Sequence, residues 1–168
     1  IVGTYLLGPR IMGTVAGADF VESGEVLKVL VLAVGIIYLT TITSHAIVAL
    51  DVQRKMLPVY VIAAVLTLSG YLLLIPRYGM WAAAWLTVAS EGMVFLGSFI
   101  VAYQANSFMP RIRTLVATIA SAFAMGWIVW VFRAQALIIP ILLGATTYGV
   151  LIVGVGAVSK EVIQEVLR

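Results

Sequence analysis

The chain has 168 residues, of which 63% are hydrophobic and 10% are charged. An ordinary globular domain has roughly half and a quarter, so this composition excludes a typical water-soluble domain. The mean hydropathy is +1.15 and the formal net charge is +3. The absence of cysteine excludes a disulfide framework and a thiolate metal site. No basic stripe interleaved with aromatic residues is present, so we expect no nucleic-acid partner.

The first residues predict the end of a helix followed by a loop. Residues 1–8 are apolar but too short to cross a bilayer, and Pro9 is expected to end them because proline lacks an amide hydrogen. Residues 10–25 mix charged side chains with three glycines, which predicts an interfacial loop with a short amphipathic turn. Because the chain does not begin with Met, we expect residues 1–8 to be the end of a helix in a longer protein.

Five longer apolar runs follow, each near the roughly 20 residues that a helix needs to cross the hydrocarbon core. They predict spans at about 26–50, 58–75, 80–104, 114–132 and 136–158. Residues 159–168 place charged side chains on one helix face and aliphatic ones on the other, which indicates a cytoplasmic tail along the membrane interface. The predicted fold class is an all-α, polytopic membrane helix bundle, with five full spans and the end of a sixth.

The segment 74–91 predicts a tight hairpin between the second and third of these spans. Pro76 is expected to stop the second span, and Gly79 to permit a sharp reversal of the chain. A helix rich in small residues then begins, and it carries a single acid, Glu91, about 15 Å along its axis. A carboxyl group at such a depth has little place in a soluble two-helix hairpin.

Basic residues in the loops predict the orientation. The loops 51–55 and 105–113 hold two basic residues each, whereas the corresponding loops on the other side hold one each, Arg77 and Arg133. Arg10 and Lys28 also belong to that other side and narrow the difference. By the positive-inside rule, we expect the first two loops and the C-terminus to be cytoplasmic.

Glu91 is the strongest functional signal, because it lies near the middle of its span. An ionised side chain there costs about 3 kcal/mol, so Glu91 should face a cavity or a partner, or be protonated. One interpretation is a substrate contact or a proton-coupled switch. The other is a neutral residue whose hydrogen bonds to neighbouring helices fix their packing. Hydroxyl groups at similar depth are potential partners: Tyr38, Thr40, Thr41, Thr146, Thr147 and Tyr148.

Two further candidates lie near the predicted cytoplasmic side. His45 could relay protons or simply lie near the water interface, and a single His without carboxylates at helical spacing is no metal site. Arg54 could bind a diphosphate headgroup, although most such loops are topology signals and lipid contacts. No arrangement typical of a catalytic site occurs, so we expect neither an enzyme nor a cofactor. The substrate or coupling candidates are therefore Glu91, His45, Tyr38, Thr41 and Arg54.

The predicted hairpin resembles the signature of a known family, the polysaccharide flippases of the multidrug/oligosaccharidyl-lipid/polysaccharide exporter superfamily. The residues that carry the resemblance are Leu74-Ile75-Pro76, Tyr78-Gly79, Ala83-Ala84, Thr87 and Ser90-Glu91. Weaker similarities extend over almost the whole chain. The chain departs from the family at a position where the family often carries asparagine, because Thr67 or Tyr71 stands there instead.

The resemblance implies one lobe of a two-lobe transporter that rocks around a central cavity in the inner (cytoplasmic) membrane. This chain would be most of the C-terminal lobe, and its partners would be the N-terminal lobe of the same protein and membrane lipids. The implied cargo is a lipid-linked oligosaccharide or polysaccharide precursor, which alternating access would flip to the outer face.

Other interpretations stay open from the residues. A multidrug or small-molecule exporter of the same superfamily is compatible with a lone membrane acid. A membrane-embedded glycan polymerase, ligase or other non-transport assembly subunit should carry a large outer loop, and the longest outer segment, about 9–25, is short. A purely structural membrane subunit is excluded only by the family motif.

Overall fold

The structure is a computed structural model that describes residues 1–106 and 112–154. These residues are helical and form no strand, which confirms the all-α class over the described part of the chain. The helices are α1 (Val2–Val15), α2 (Val21–Ala49), α3 (Leu57–Tyr78), α4 (Met80–Asn106), α5 (Ile112–Val131) and α6 (Ile138–Gly154). Short 3₁₀-helices at Ala18–Phe20 and Gln53–Met56 precede α2 and α3.

Three helical segments are long and apolar enough to cross a membrane, namely Ala18–Ala49, Gln53–Tyr78 and Met80–Ala105. The apolar segments Val116–Val131 and Ile138–Gly154 are shorter within the described residues. Three of the five predicted spans therefore meet this criterion. Many large apolar side chains are exposed, particularly along α3, as hydrocarbon-facing helices require. The predicted tail 159–168 lies outside the described residues, as do parts of the loop 105–113 and of the last span.

The prediction that Pro9 ends the first helix is wrong. α1 continues to Val15 and α2 begins at Val21, so the expected loop at residues 10–25 shrinks to a short connection. The break occurs at Gly17, whose φ of 107° is accessible mainly to glycine. A proline inside a helix removes one hydrogen bond and strains one turn. Here close packing of α1 against α2 offsets that cost. The two backbones approach so closely that a Cβ added at Gly8 would lie only 2.7 Å from the Gly24 carbonyl oxygen.

The hairpin between α3 and α4 turns at Gly79, as predicted, but Pro76 does not stop α3. The helix extends to Tyr78, because a proline in the last turn removes only one amide donor from a ladder that is about to end. Gly79 adopts a φ of 56°, and its amide donates to the Ile75 carbonyl at 2.8 Å. α4 begins immediately afterwards at Met80.

The helices contact one another in the order α3, α4, α2, α1, α5, α6. α2 and α4 form the central pair and run parallel. One buried cluster contains Val29 and Ala84, and another contains Ile47 and Ala102. Both pairs have the same separation of 55 residues that joins the hydrogen-bonded hydroxyl groups of Thr43 and Ser98. This constant separation defines the register of the α2–α4 contact along its length.

Candidate functional site

Glu91 lies on the face of α4 that packs against α2. It is seven residues from both Ala84 and Ser98, which is close to two helical turns in each direction, so the three side chains share one face. Ala84 and Ser98 are buried against α2, at 2% and 0% exposed. The register of the α2–α4 contact places Glu91 level with Ile36. The site is thus built on the central helix pair.

α3 contributes the other side of the site. α3 and α4 are antiparallel, with Leu86 packed over Gly70. The hydroxyl groups of Tyr71 and Thr87 lie 3.1 Å apart across this contact. Thr67 and Glu91 are each four residues, about one turn, beyond that pair in the same direction along the hairpin. The register therefore brings the Thr67 side chain to the level of Glu91.

Two polar groups at this level have no hydrogen-bond partner among the described residues. The hydroxyl oxygen of Thr67 is buried and unpaired. The carboxyl group of Glu91, which is half-buried, forms neither a hydrogen bond nor an ion pair within 1–106 and 112–154. The ion pair seen in these ranges joins Lys28 and Glu25 at 2.7 Å, near the start of α2. An unpaired carboxyl group and an unpaired hydroxyl group thus lie at the same depth.

The hydroxyl groups that we expected to pair with Glu91 bond instead to carbonyl groups of their own helices. Thr40 donates to the Ile36 carbonyl at 3.0 Å, and Thr41 donates to the Ile37 carbonyl at 2.9 Å. Tyr38 is 66% exposed. Thr41 and Tyr38 are therefore not brought to the carboxyl group by any described contact.

The α6 candidates are not brought to Glu91 either. Thr146 donates to the carbonyl groups of Leu142 and Leu143, and Thr147 donates to the same Leu143 carbonyl at 2.7 Å. α6 packs on α5, at the opposite end of the helix order from α3 and α4. A packing role through threonines of α6 therefore has no support in these contacts.

His45 and Arg54 lie at the far end of α2 from this level. His45 is exposed, and its Nδ1 lies 2.7 Å from the Thr41 carbonyl oxygen, so Nδ1 carries the proton and donates. Arg54 is exposed in the 3₁₀-helix after α2. His45 is nine residues beyond Ile36, about 13 Å along the axis, so it is not joined to Glu91.

Sequence reasoning missed the polar contacts between helices. It did not pair Thr43 with Ser98 or Tyr71 with Thr87, although all four are small or amphipathic polar residues within apolar helices. The signal that identifies Ser98 is its seven-residue spacing from Glu91, which places both on one face. The sequence alone marks Thr67 only as a position where the resembled family often has asparagine.

The site can accept or release a proton, or contact a cationic or hydroxyl-rich group, through the carboxyl group of Glu91. In the described part of the chain, no cluster of three or more His, Asp and Glu side chains is placed to bind a metal ion. Comparisons with protein-family models, curated proteins and solved structures gave no match for the chain. The resemblance carried by the hairpin motif therefore stays a prediction.

Proposed function

We propose that this chain is the C-terminal lobe of an inner-membrane transporter that flips lipid-linked oligosaccharide or polysaccharide precursors to the outer face by alternating access. In this proposal Glu91 is the residue that contacts the substrate or titrates during the cycle. The apolar helices and the hairpin motif support a membrane transporter of this type. The N-terminal lobe supplies the other half of the cavity, and the end of the helix bundle that carries Arg54 and Lys55 faces the cytoplasm.

The observation that carries the proposal is the unpaired carboxyl group of Glu91 at mid-span. A carboxylate at this depth costs about 3 kcal/mol, and a purely structural role would offset that cost with hydrogen bonds. The neighbouring hydroxyl groups do not provide them, because Ser90 donates to the Thr87 carbonyl and Thr40 to the Ile36 carbonyl. A half-buried acid without described partners favours exchange with a substrate or a proton over packing.

A small-molecule exporter of the same superfamily is the second candidate. The carboxyl group of Glu91 suits a cationic drug as well as the hydroxyl groups of a sugar. The two candidates differ in cargo, so a transport assay separates them.

The proposal is tested with the full-length protein in proteoliposomes. The assay follows protection of a fluorescent lipid-linked oligosaccharide from an external glycan-modifying enzyme. Wild type is expected to flip the lipid. Glu91→Gln should insert at normal abundance but flip at no more than about one tenth of the wild-type rate. A tenfold loss of rate corresponds to about 1.4 kcal/mol in the activation free energy. Glu22→Gln makes the same chemical change at an exposed position in the first turn of α2 and should flip normally.

Three outcomes contradict parts of the proposal. A Glu91→Gln protein that flips like wild type removes Glu91 from the mechanism. Equal losses in Glu91→Gln and Glu22→Gln show that the effect is not specific to mid-span. Wild type that extrudes cationic dyes but leaves lipid-linked oligosaccharide on one side supports the exporter instead.

A further inference from the structure

A cationic and aromatic cluster lies where α1 meets the connection between α5 and α6. Arg10 of α1 donates from Nη2 to the Gln135 carbonyl at 2.8 Å. The Arg133 guanidinium lies over the Trp130 ring, 5.0 Å from its centroid. The rings of Trp130 and Trp127 are 5.7 Å apart. Two guanidinium groups and two indoles therefore surround one helix connection, which we call the Arg10–Arg133 cluster.

The charge of this cluster is not neutralised by the described residues. Neither arginine forms an ion pair there, and α5, α6 and their connection contain no Asp or Glu. The nearest acids along the chain are exposed: Asp19 lies between α1 and α2, and Glu22 lies in the first turn of α2. Arginine binds phosphate oxygens with paired hydrogen bonds, and tryptophan is enriched at the headgroup level of a bilayer. The cluster is thus suited to an anionic phosphate group at the membrane surface.

An apolar cavity lies directly next to the cluster. It has a volume of about 310 Å³ and lies between α1, α5 and α6. Ile11 lines it and follows Arg10 in α1, and Val129 lines it one turn before Arg133. Other lining residues are Leu7, Pro140, Gly144 and Ala145. A group held by the two arginines can therefore extend an apolar tail into the cavity.

We propose that the Arg10–Arg133 cluster and this cavity form a binding site for one anionic phospholipid. Arg10 and Arg133 hold the headgroup phosphate, Trp130 packs against the glycerol region, and an acyl chain enters the cavity between α1, α5 and α6. The charge and the apolar volume argue for a lipid together, because free phosphate would use only the arginines. This inference does not depend on the proposed transport function or on which side of the membrane the cluster faces.

Native mass spectrometry of the purified chain in detergent tests the headgroup contact. Phosphatidylglycerol and phosphatidylcholine are each titrated, and the bound fraction is measured. Wild type is expected to prefer phosphatidylglycerol. Arg133→Gln should weaken its binding by roughly tenfold, as expected for a lost hydrogen bond to a charged group. The double change Arg10→Gln with Arg133→Gln should abolish the preference. Arg77→Gln, which removes an exposed arginine from the end of α3, should have no effect.

A second pair of variants tests the cavity. Ala145→Leu fills it, and Ala89→Leu makes the same change at an exposed alanine in a different apolar groove, between α3 and α4. Ala145→Leu should weaken phosphatidylglycerol binding several-fold while Ala89→Leu leaves it unchanged.

Two results overturn the assignment. One is equal binding of phosphatidylglycerol by wild type and by Arg133→Gln. This variant leaves the contact between Arg10 and Gln135 in place, so it tests the Arg133 guanidinium by itself. The other is displacement of the bound lipid by millimolar inorganic phosphate together with no effect of Ala145→Leu, which would identify a free-phosphate site.

Discussion

The hydroxyl oxygens of Thr43 and Ser98 lie 2.6 Å apart in the buried contact between α2 and α4. Each also lies within hydrogen-bonding distance of a carbonyl of its own helix, Thr43 at 2.9 Å from the Thr40 oxygen and Ser98 at 2.8 Å from the Phe95 oxygen. Two hydroxyl groups have only two hydrogens for these three contacts. One hydroxyl therefore donates within its helix while the other donates across the interface, and the two side chains act as a unit.

A double-mutant cycle with Thr43→Val and Ser98→Ala should reveal this coupling. Each change removes the interhelical bond, so the double variant should lose less stability than the two single losses added together. The expected coupling is about 0.6 kcal/mol, the average for such bonds in membrane proteins. It is measured by denaturing the purified protein in mixed micelles.

The control cycle combines Ser98→Ala with Thr146→Val. Thr146 bonds only within α6 among the described residues, so additive losses are expected. Additivity in the Thr43–Ser98 cycle as well would show that the interhelical bond contributes nothing.

The close approach of α1 and α2 at Gly24 should not tolerate a methyl group. A Cβ at this position would lie 2.7 Å from the carbonyl carbon of Gly8, and backbone atoms cannot move aside as a flexible side chain can. We expect Gly24→Ala to lower the free energy of unfolding by about 1–3 kcal/mol, a typical cost of overpacking.

Gly92→Ala is the matched control, because nothing lies within 4 Å of a Cβ built there. It should raise the free energy of unfolding by up to about 1 kcal/mol, because alanine is the better helix former. Both variants are compared by thermal denaturation followed by circular dichroism. Equal stability of the two would contradict the described contact between α1 and α2.

The fold was predictable where a local rule decides it. Gly79 turns the chain because a reversal with positive φ needs glycine, and the apolar runs around it are long enough to form helices. The ends of α1 and α3 were not predictable, because Pro9 and Pro76 both lie inside helices. Whether a proline ends a helix depends on the packing partner and on the turns that remain, and neither can be read from the local sequence.

The candidate site was predictable in depth but not in its contacts. The position of Glu91 within its apolar run places it near mid-span. The threonines expected to bond to Glu91 do not do so, because a Thr hydroxyl in an apolar helix bonds most easily to a carbonyl one turn earlier. Thr40 and Thr41 both bond in this way. Thr67 emerged only from the register of α3 against α4.

The proposed orientation predicts the labelling of single cysteines in intact cells. The chain has no native cysteine, so the background is low. A cysteine at Gln53, between α2 and α3, should resist a membrane-impermeant thiol reagent, whereas one at Arg77 should react. Both residues are exposed, and the 22-residue helix α3 separates them by about 30 Å.

Labelling after permeabilisation is the control, and both cysteines should then react. Reaction at Gln53 and protection at Arg77 in intact cells would reverse the orientation.

The proposed two-lobe mechanism predicts that this chain alone does not transport. Alternating access needs a second body against which the first one moves, and one lobe forms only half of a cavity. Residues 1–168 expressed alone should fail to restore surface glycan in a flippase-deficient strain, while the full-length protein should restore it. Restoration by the chain alone would contradict a single-lobe role, and crosslinking would then show whether two copies replace the missing lobe.

The unpaired hydroxyl of Thr67 makes an opposite prediction for two similar substitutions in α3 and α4. Thr67→Val removes a buried hydroxyl that has no partner among the described residues, so it should leave the free energy of unfolding unchanged or raise it by up to about 1 kcal/mol. Thr87→Val removes the contact with Tyr71 at 3.1 Å and should lower it by about 0.6 kcal/mol. Valine matches the shape of threonine, so the comparison isolates the hydroxyl group. A loss in Thr67→Val as large as that in Thr87→Val would show that Thr67 has a partner, and Glu91 at the same level would be the first to test with a Glu91→Gln cycle.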